Sequence, residues 1–219
     1  MNTEIDYAVH IALPDVALEG EMALPTHARS LVVFVHGSGS SRLSPRNRMV
    51  AEVLHQAGIG TLLFDLLTLE EEAAEASTRH LRFDIPFLSR RLTGTLSWLD
   101  TTAGFSRVPL GLFGSSTGAA AALVAAAAQP GRIGAVVSRG GRPDLAPDSL
   151  ARVRCPVLLL VGSLDTEVLF MNREAARRMP SAEVGVVDGA THLFPERGAL
   201  EAVALRAREW FSTHLKTGE

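Results

Sequence analysis

The sequence predicts an α/β protein built on one eight-stranded, mostly parallel sheet with helices on both faces. Three observations predict it. Short runs of branched apolar residues at 31–35, 61–64, 108–113, 133–137, 156–161 and 183–187 are nearly continuous, as strands buried on both faces must be. Stretches long enough for crossover helices, at 48–56, 88–99, 119–128, 168–179 and 200–214, alternate with them, which implies parallel pairing with right-handed crossovers. Ahead of this alternation, 7–13 and 17–24 flank Pro14-Asp15 and read as an antiparallel hairpin at one sheet edge. The central strands should carry Phe34, Leu112, Val136 and Leu160 in the core.

Composition narrows the class of function. A chain of 219 residues, 47% hydrophobic and 21% charged, is expected to form one domain around one sizeable core. A net charge of −3 gives no reason to expect a nucleic-acid or anionic-membrane partner, and it leaves the oligomeric state open. The single Cys155 excludes an intramolecular disulfide and fits a reducing, cytoplasmic setting. The opening residues have neither a basic nor an apolar region of the signal-peptide kind, and the apolar run in 119–128 is too short to span a bilayer. No two histidines or cysteines stand at ligand spacing, so neither a metal nor another cofactor is expected.

Residues 68–82 break the rhythm. Thr68 and Glu71 form a capping-box pattern, and Glu70, Glu71 and Glu72 would sit in a first turn whose dipole favours anions. With Glu75, Arg79 and Arg82 following, the segment reads as a helix with a solvated face. A sharper reading has Arg79, His80 or Arg82 facing a pocket, because the segment follows the carboxyl end of a strand.

The stretch Gly114-Ser115-Ser116-Thr117-Gly118 lies between an apolar strand and a helix of small residues. Gly-x-Ser-x-Gly in that context is the signature of a nucleophile elbow, a sharp turn that lifts the serine above the sheet at a helix N-terminus. Ser116 is therefore the candidate nucleophile, and an inert serine in a glycine-bounded turn is the bland alternative. A serine hydroxyl needs a base, and the base an orienting carboxylate, at later strand ends. Of the histidines beyond Ser116, His214 falls in the terminal helix, leaving His192 as the base. Asp165, in the turn after the 156–161 strand, is the candidate acid, with Asp144, Asp148 and Asp188 as competitors.

The oxyanion formed by such chemistry needs two donors. Thr117 N–H, just after the nucleophile, is one. The second is placed on Ser38 N–H in His36-Gly37-Ser38-Gly39-Ser40-Ser41, with Gly37 as its close alternative. His36 is expected to organise this loop by hydrogen bonding. Gly37-Ser38-Gly39 also resembles the start of a dinucleotide fingerprint, but Arg42 stands where the third glycine belongs and Asp65 ends its strand.

With the order Ser116, Asp165, His192, the chain resembles the α/β-hydrolases, and within them the small bacterial dienelactone-hydrolase-like proteins. The likeness rests on residues 35–42, 114–120, 138–144 and 189–194. It implies the hydrolase sheet and a Ser116–His192–Asp165 triad. Dienelactone hydrolases proper use a cysteine nucleophile; Ser116 in its place implies serine-esterase chemistry on a small-molecule ester or lactone. An acyltransferase or a non-catalytic binding protein on the same fold is the alternative. Only residues 138–155 separate two strands beyond the elbow, so no large cap domain is expected. Arg139 near the rim is a candidate for holding a substrate carboxylate, or equally for pairing with Asp144. With no large cap and Phe194 beside His192, small to medium acyl groups should be preferred over long chains.

Overall fold

The computed structural model describes residues 5–102 and 104–216. Its eight strands are β1 (Ile5–Ala12), β2 (Ala17–Leu24), β3 (Leu31–Val35), β4 (Gly60–Phe64), β5 (Leu110–Ser115), β6 (Ile133–Arg139), β7 (Val157–Gly162) and β8 (Ala182–Val187). They form a single sheet in the order β1-β2-β4-β3-β5-β6-β7-β8. The β1–β2 and β2–β4 pairs are antiparallel, and every other pair is parallel. The expected hairpin is thus the sheet's edge.

Helices α1 (Pro45–Gln56), α2 (Leu69–Thr78), α3 (Ile85–Thr101), α4 (Thr117–Ala128), α5 (Thr166–Ala176) and α6 (Ala199–His214) complete the chain. Their starts follow local chemistry. Ser44 and Asp84 cap α1 and α3 ahead of early prolines, since a residue at N1 or N2 has no intrahelical use for its N–H. One apolar core joins α3 and α4 to one face of the sheet, through residues such as Leu92, Leu112 and Val136. A second core on the other face joins α1 and α6 through Phe34, Leu160 and Phe211. All four core residues expected from the strand pattern are buried. Removing such a side chain typically costs about 2–5 kcal/mol.

Two features position the site. The chain winds from β3 outward to β4, then returns to β5 and winds the other way, so the strand order reverses between β3 and β5. Loops leaving the carboxyl ends of those neighbours diverge and open a crevice. No separate cap covers it: the β6–β7 connection holds only two short 3₁₀ turns, Pro143–Leu145 and Leu150–Arg152.

The 68–82 segment departs from expectation. Its capping box forms, with Thr68 N–H donating to Glu71 Oε2 at 2.8 Å and Glu71 N–H to Thr68 Oγ1 at 3.2 Å. The helix ends at Thr78, however, and Arg79 turns left-handed at φ 50°. Glu75, expected on a solvated face, is 1% exposed. Its carboxylate accepts from the backbone N–H of His80 and Leu81, both at 2.8 Å, and of Arg82 at 3.1 Å. Arg82 Nε donates to it at 3.1 Å as well. These bonds reward a doubled-back chain more than another helical turn would, which is why a 3₁₀ turn, Leu81–Phe83, follows.

Candidate active site

Ser116 sits between β5 and α4 with φ 51° and ψ −120°, a region a non-glycine residue occupies at a cost of about 1–3 kcal/mol. The packing that imposes this strain is visible at the flanking glycines. A Cβ on Gly114 would lie 2.5 Å from Ala119 Cα, and one on Gly118 would lie 2.2 Å from the Val35 carbonyl oxygen. Strand, elbow and helix therefore touch backbone to backbone, and larger residues would force them apart. Thr117 begins α4, so its N–H is among the amides a helix leaves without an intrahelical acceptor.

The turn after β7 and the loop after β8 bring Asp165 and His192 together. His192 Nδ1 donates to Asp165 Oδ2 at 2.6 Å, which leaves Nε2 as the basic nitrogen of the neutral ring. Glu196 holds the histidine loop by accepting from Thr191 N–H at 3.1 Å and Thr191 Oγ1 at 2.5 Å. The rival acids are engaged or remote. Asp144 binds the Arg142 guanidinium through two bonds, of 2.8 and 2.7 Å; Asp188 accepts from Ser163 Oγ at 3.2 Å; Asp148 is exposed.

Ser116 and His192 line one cavity of about 240 Å³, together with Ser38, Arg46, Arg139 and Leu193. Larger hollows of about 510 and 740 Å³ lie elsewhere, and neither Ser116 nor His192 lines them. His36 organises the loop after β3: its Nδ1–H donates to Gly37 O and its Nε2 accepts from Leu66 N–H, each at 3.0 Å. Burial pushes the His36 pKa below its ordinary value, against smaller opposing effects of the Gly37 bond and the Asp65 and Glu72 charges. That agrees with a neutral ring that both donates and accepts. The Ser38 amide is already engaged, donating to Thr117 Oγ1 at 3.0 Å. Asp65, at the end of β4, accepts from Arg42 N–H at 2.6 Å and from its guanidinium.

The expected substrate contacts divide. Arg79 is exposed and Arg82 is tied to Glu75; neither lines the cavity, although an Arg82 nitrogen approaches Gly39 in the β3 loop. Phe194 turns inward at φ 55°, is 2% exposed and packs in the core under α6, so Leu193 takes the rim position expected of it. Arg139 does line the cavity, but Arg142, not Arg139, pairs with Asp144. Arg46, which sequence reasoning missed, stands beside it. Only the fold brings the two together, because β6 ends over the start of α1. Burial raises the Cys155 thiol to about 11, which keeps it out of nucleophilic chemistry at neutral pH. Among the described residues there is no cluster of histidines, cysteines or acids able to hold a metal, and no helix is long and apolar enough to cross a membrane.

The open sheet, the elbow at its switch point and the paired acid and histidine define an α/β-hydrolase. A dienelactone hydrolase from Anabaena variabilis is 51% identical and superposes with a TM-score of 0.95, over 97% of this chain and 99% of that one. The chain belongs to the dienelactone-hydrolase-like family. An esterase from Pyrococcus furiosus shares the fold at 18% identity, with a TM-score of 0.77 over 97% of this chain and 92% of its own. A Mycobacterium tuberculosis protein named "Putative phosphoribosyl transferase" is 52% identical over 211 residues, which are 96% of this chain and 47% of that protein. The chain thus spans about half the length of the curated relatives it matches. No family model matches the sequence.

Proposed function

We propose that the protein is a serine hydrolase acting on carboxylic esters or lactones. The observation that carries this reading is the 2.6 Å His192–Asp165 bond beside a cavity that His192 shares with a serine on a strained elbow. Ser116 Oγ attacks the acyl carbonyl while His192 Nε2 takes its proton, and Asp165 holds the ring in the tautomer that leaves Nε2 basic. Thr117 N–H meets the developing oxyanion. Ser38 N–H joins it by exchanging its bond to Thr117 Oγ1 for one to the substrate. His192 then protonates the departing alcohol, and afterwards activates water to release the acyl-enzyme. A cavity of about 240 Å³ suits small acyl groups better than long chains.

The chain works as one domain in this reading, and its lone cysteine suits a cytoplasmic enzyme. The transferase name of the mycobacterial relatives belongs to proteins about twice as long, and the Ser116 cavity supports hydrolysis. A fluorophosphonate probe tests the proposal: it should label the wild type at Ser116 and leave Ser116→Ala untouched. That variant should hydrolyse p-nitrophenyl acetate roughly a thousandfold more slowly or worse. Wild-type turnover in Ser116→Ala would overturn the assignment. Adding an alcohol acceptor separates hydrolysis from acyl transfer, because a transferase would return a new ester.

A further inference from the structure

Arg139 leaves the end of β6 and runs toward α1, where its Nη2 donates to Asn47 Oδ1 at 3.2 Å, 92 positions away in the chain. That is a neutral partner. Arg139 is 7% exposed, and its Nη1 is buried without any hydrogen-bond acceptor. Arg46, one residue before Asn47, has its Nε in the same condition. Among the described residues neither arginine forms an ion pair, and the residues lining the cavity include no carboxylate. Burial, and secondarily the Arg46 charge, lowers the Arg139 pKa to about 10, so the group remains a cation at neutral pH and the two cations repel.

A buried donor with no acceptor carries a desolvation penalty, and a buried cation without an anion carries a larger one. The cavity is therefore lined by two cations, Arg46 and Arg139, and by no carboxylate to meet them. A guanidinium pair offers bidentate geometry and charge to a tetrahedral oxyanion, and a phosphate monoester brings nearly two negative charges at neutral pH. A single carboxylate would leave one charge unmatched.

We infer that the substrate carries a dianionic, phosphate-type group that docks between Arg46 and Arg139, beside the ester presented to Ser116. The inference rests on the ester reading for the reacting end of the molecule, but the docking of the anion does not. Its test is therefore a binding measurement, by calorimetric titration of the full chain with inorganic phosphate, sulfate and acetate. Phosphate and sulfate should bind the wild type and Ser116→Ala equally well, and acetate at least tenfold more weakly. Arg46→Gln and Arg139→Met should each weaken phosphate by about 10- to 100-fold. Arg46 is only half-buried, so its variant carries the test even where Arg139→Met fails to fold. Phosphate should also inhibit p-nitrophenyl acetate hydrolysis competitively. Absence of phosphate binding, affinity unchanged in Arg46→Gln, or acetate binding as tightly as phosphate would each overturn the inference. Phosphate binding that follows the two arginines in a protein that fluorophosphonate does not label would support the anion site while overturning the ester reading.

Discussion

Glu75 and Arg139 are both charged side chains buried beside the loops that shape the site, and the fold treats them in opposite ways. Three backbone amides and the Arg82 guanidinium surround the Glu75 carboxylate. Arg139 has one neutral acceptor, a like charge for a neighbour and a donor with no acceptor. A charge satisfied from all sides holds a chain in place; here it holds residues 80–82 folded back against α2. A charge left with unused donors at a cavity wall does little for folding and is suited to recognition. Burial alone therefore does not reveal a role, and the partners do.

The largest effect that would break this contrast is on stability. Glu75→Ala strands the Arg82 guanidinium and three amides, and should lower unfolding free energy by about 3–5 kcal/mol in a urea titration. Loss of less than about 1 kcal/mol would mean that the clamp is incidental. Arg139→Met should stay within about 1 kcal/mol of the parent, because removing an unmatched cation offsets the donor lost to Asn47 Oδ1. A penalty as large as that of Glu75→Ala would erase the distinction.

The smallest effect sharpens the comparison with a third buried group, in the loop after β3. His36 is neutral in the fold and its pKa lies below the ordinary value of 6.5. As pH falls through 6.5, the unfolded chain takes up a proton that the folded one refuses. The contribution of His36 is therefore complete above pH 6.5 and is lost on acidification toward its folded pKa. Urea titrations of wild type and His36→Gln should diverge in slope between pH 7 and 5, the variant being the flatter. Parallel slopes would show that the imidazole is not held neutral.

How much of this is readable from the chain depends on how local the cause is. Ser116 stands out because the need for small neighbours is met within two residues on each side, at Gly114 and Gly118. Asp165 and His192 are readable because consecutive parallel strands deliver consecutive loops to the same sheet edge. The end of α2 is not readable: a glutamate in a run of glutamates looks solvated until Arg79 reverses the chain and Glu75 is enclosed. Phe194 escapes for a related reason, since a single positive φ decides whether it or Leu193 faces the cavity. The Arg46–Arg139 juxtaposition has no local signal, because residues far apart in the chain meet only when the sheet and α1 pack.

Helix α4 has one more consequence. From Thr117 to Ala127 it buries ten residues, eight of them glycine or alanine, packed between the strands and α3. Such a contact has no flexible side chains with which to absorb a change, so the serine's height above the sheet is a rigid property of the backbone. A lineage built on this scaffold cannot reposition its nucleophile by drifting at the residues that flank it. Its freedom to acquire new substrates lies in the partly exposed surroundings of the cavity, at positions such as Arg46 and Leu193, where replacement leaves the nucleophile unmoved.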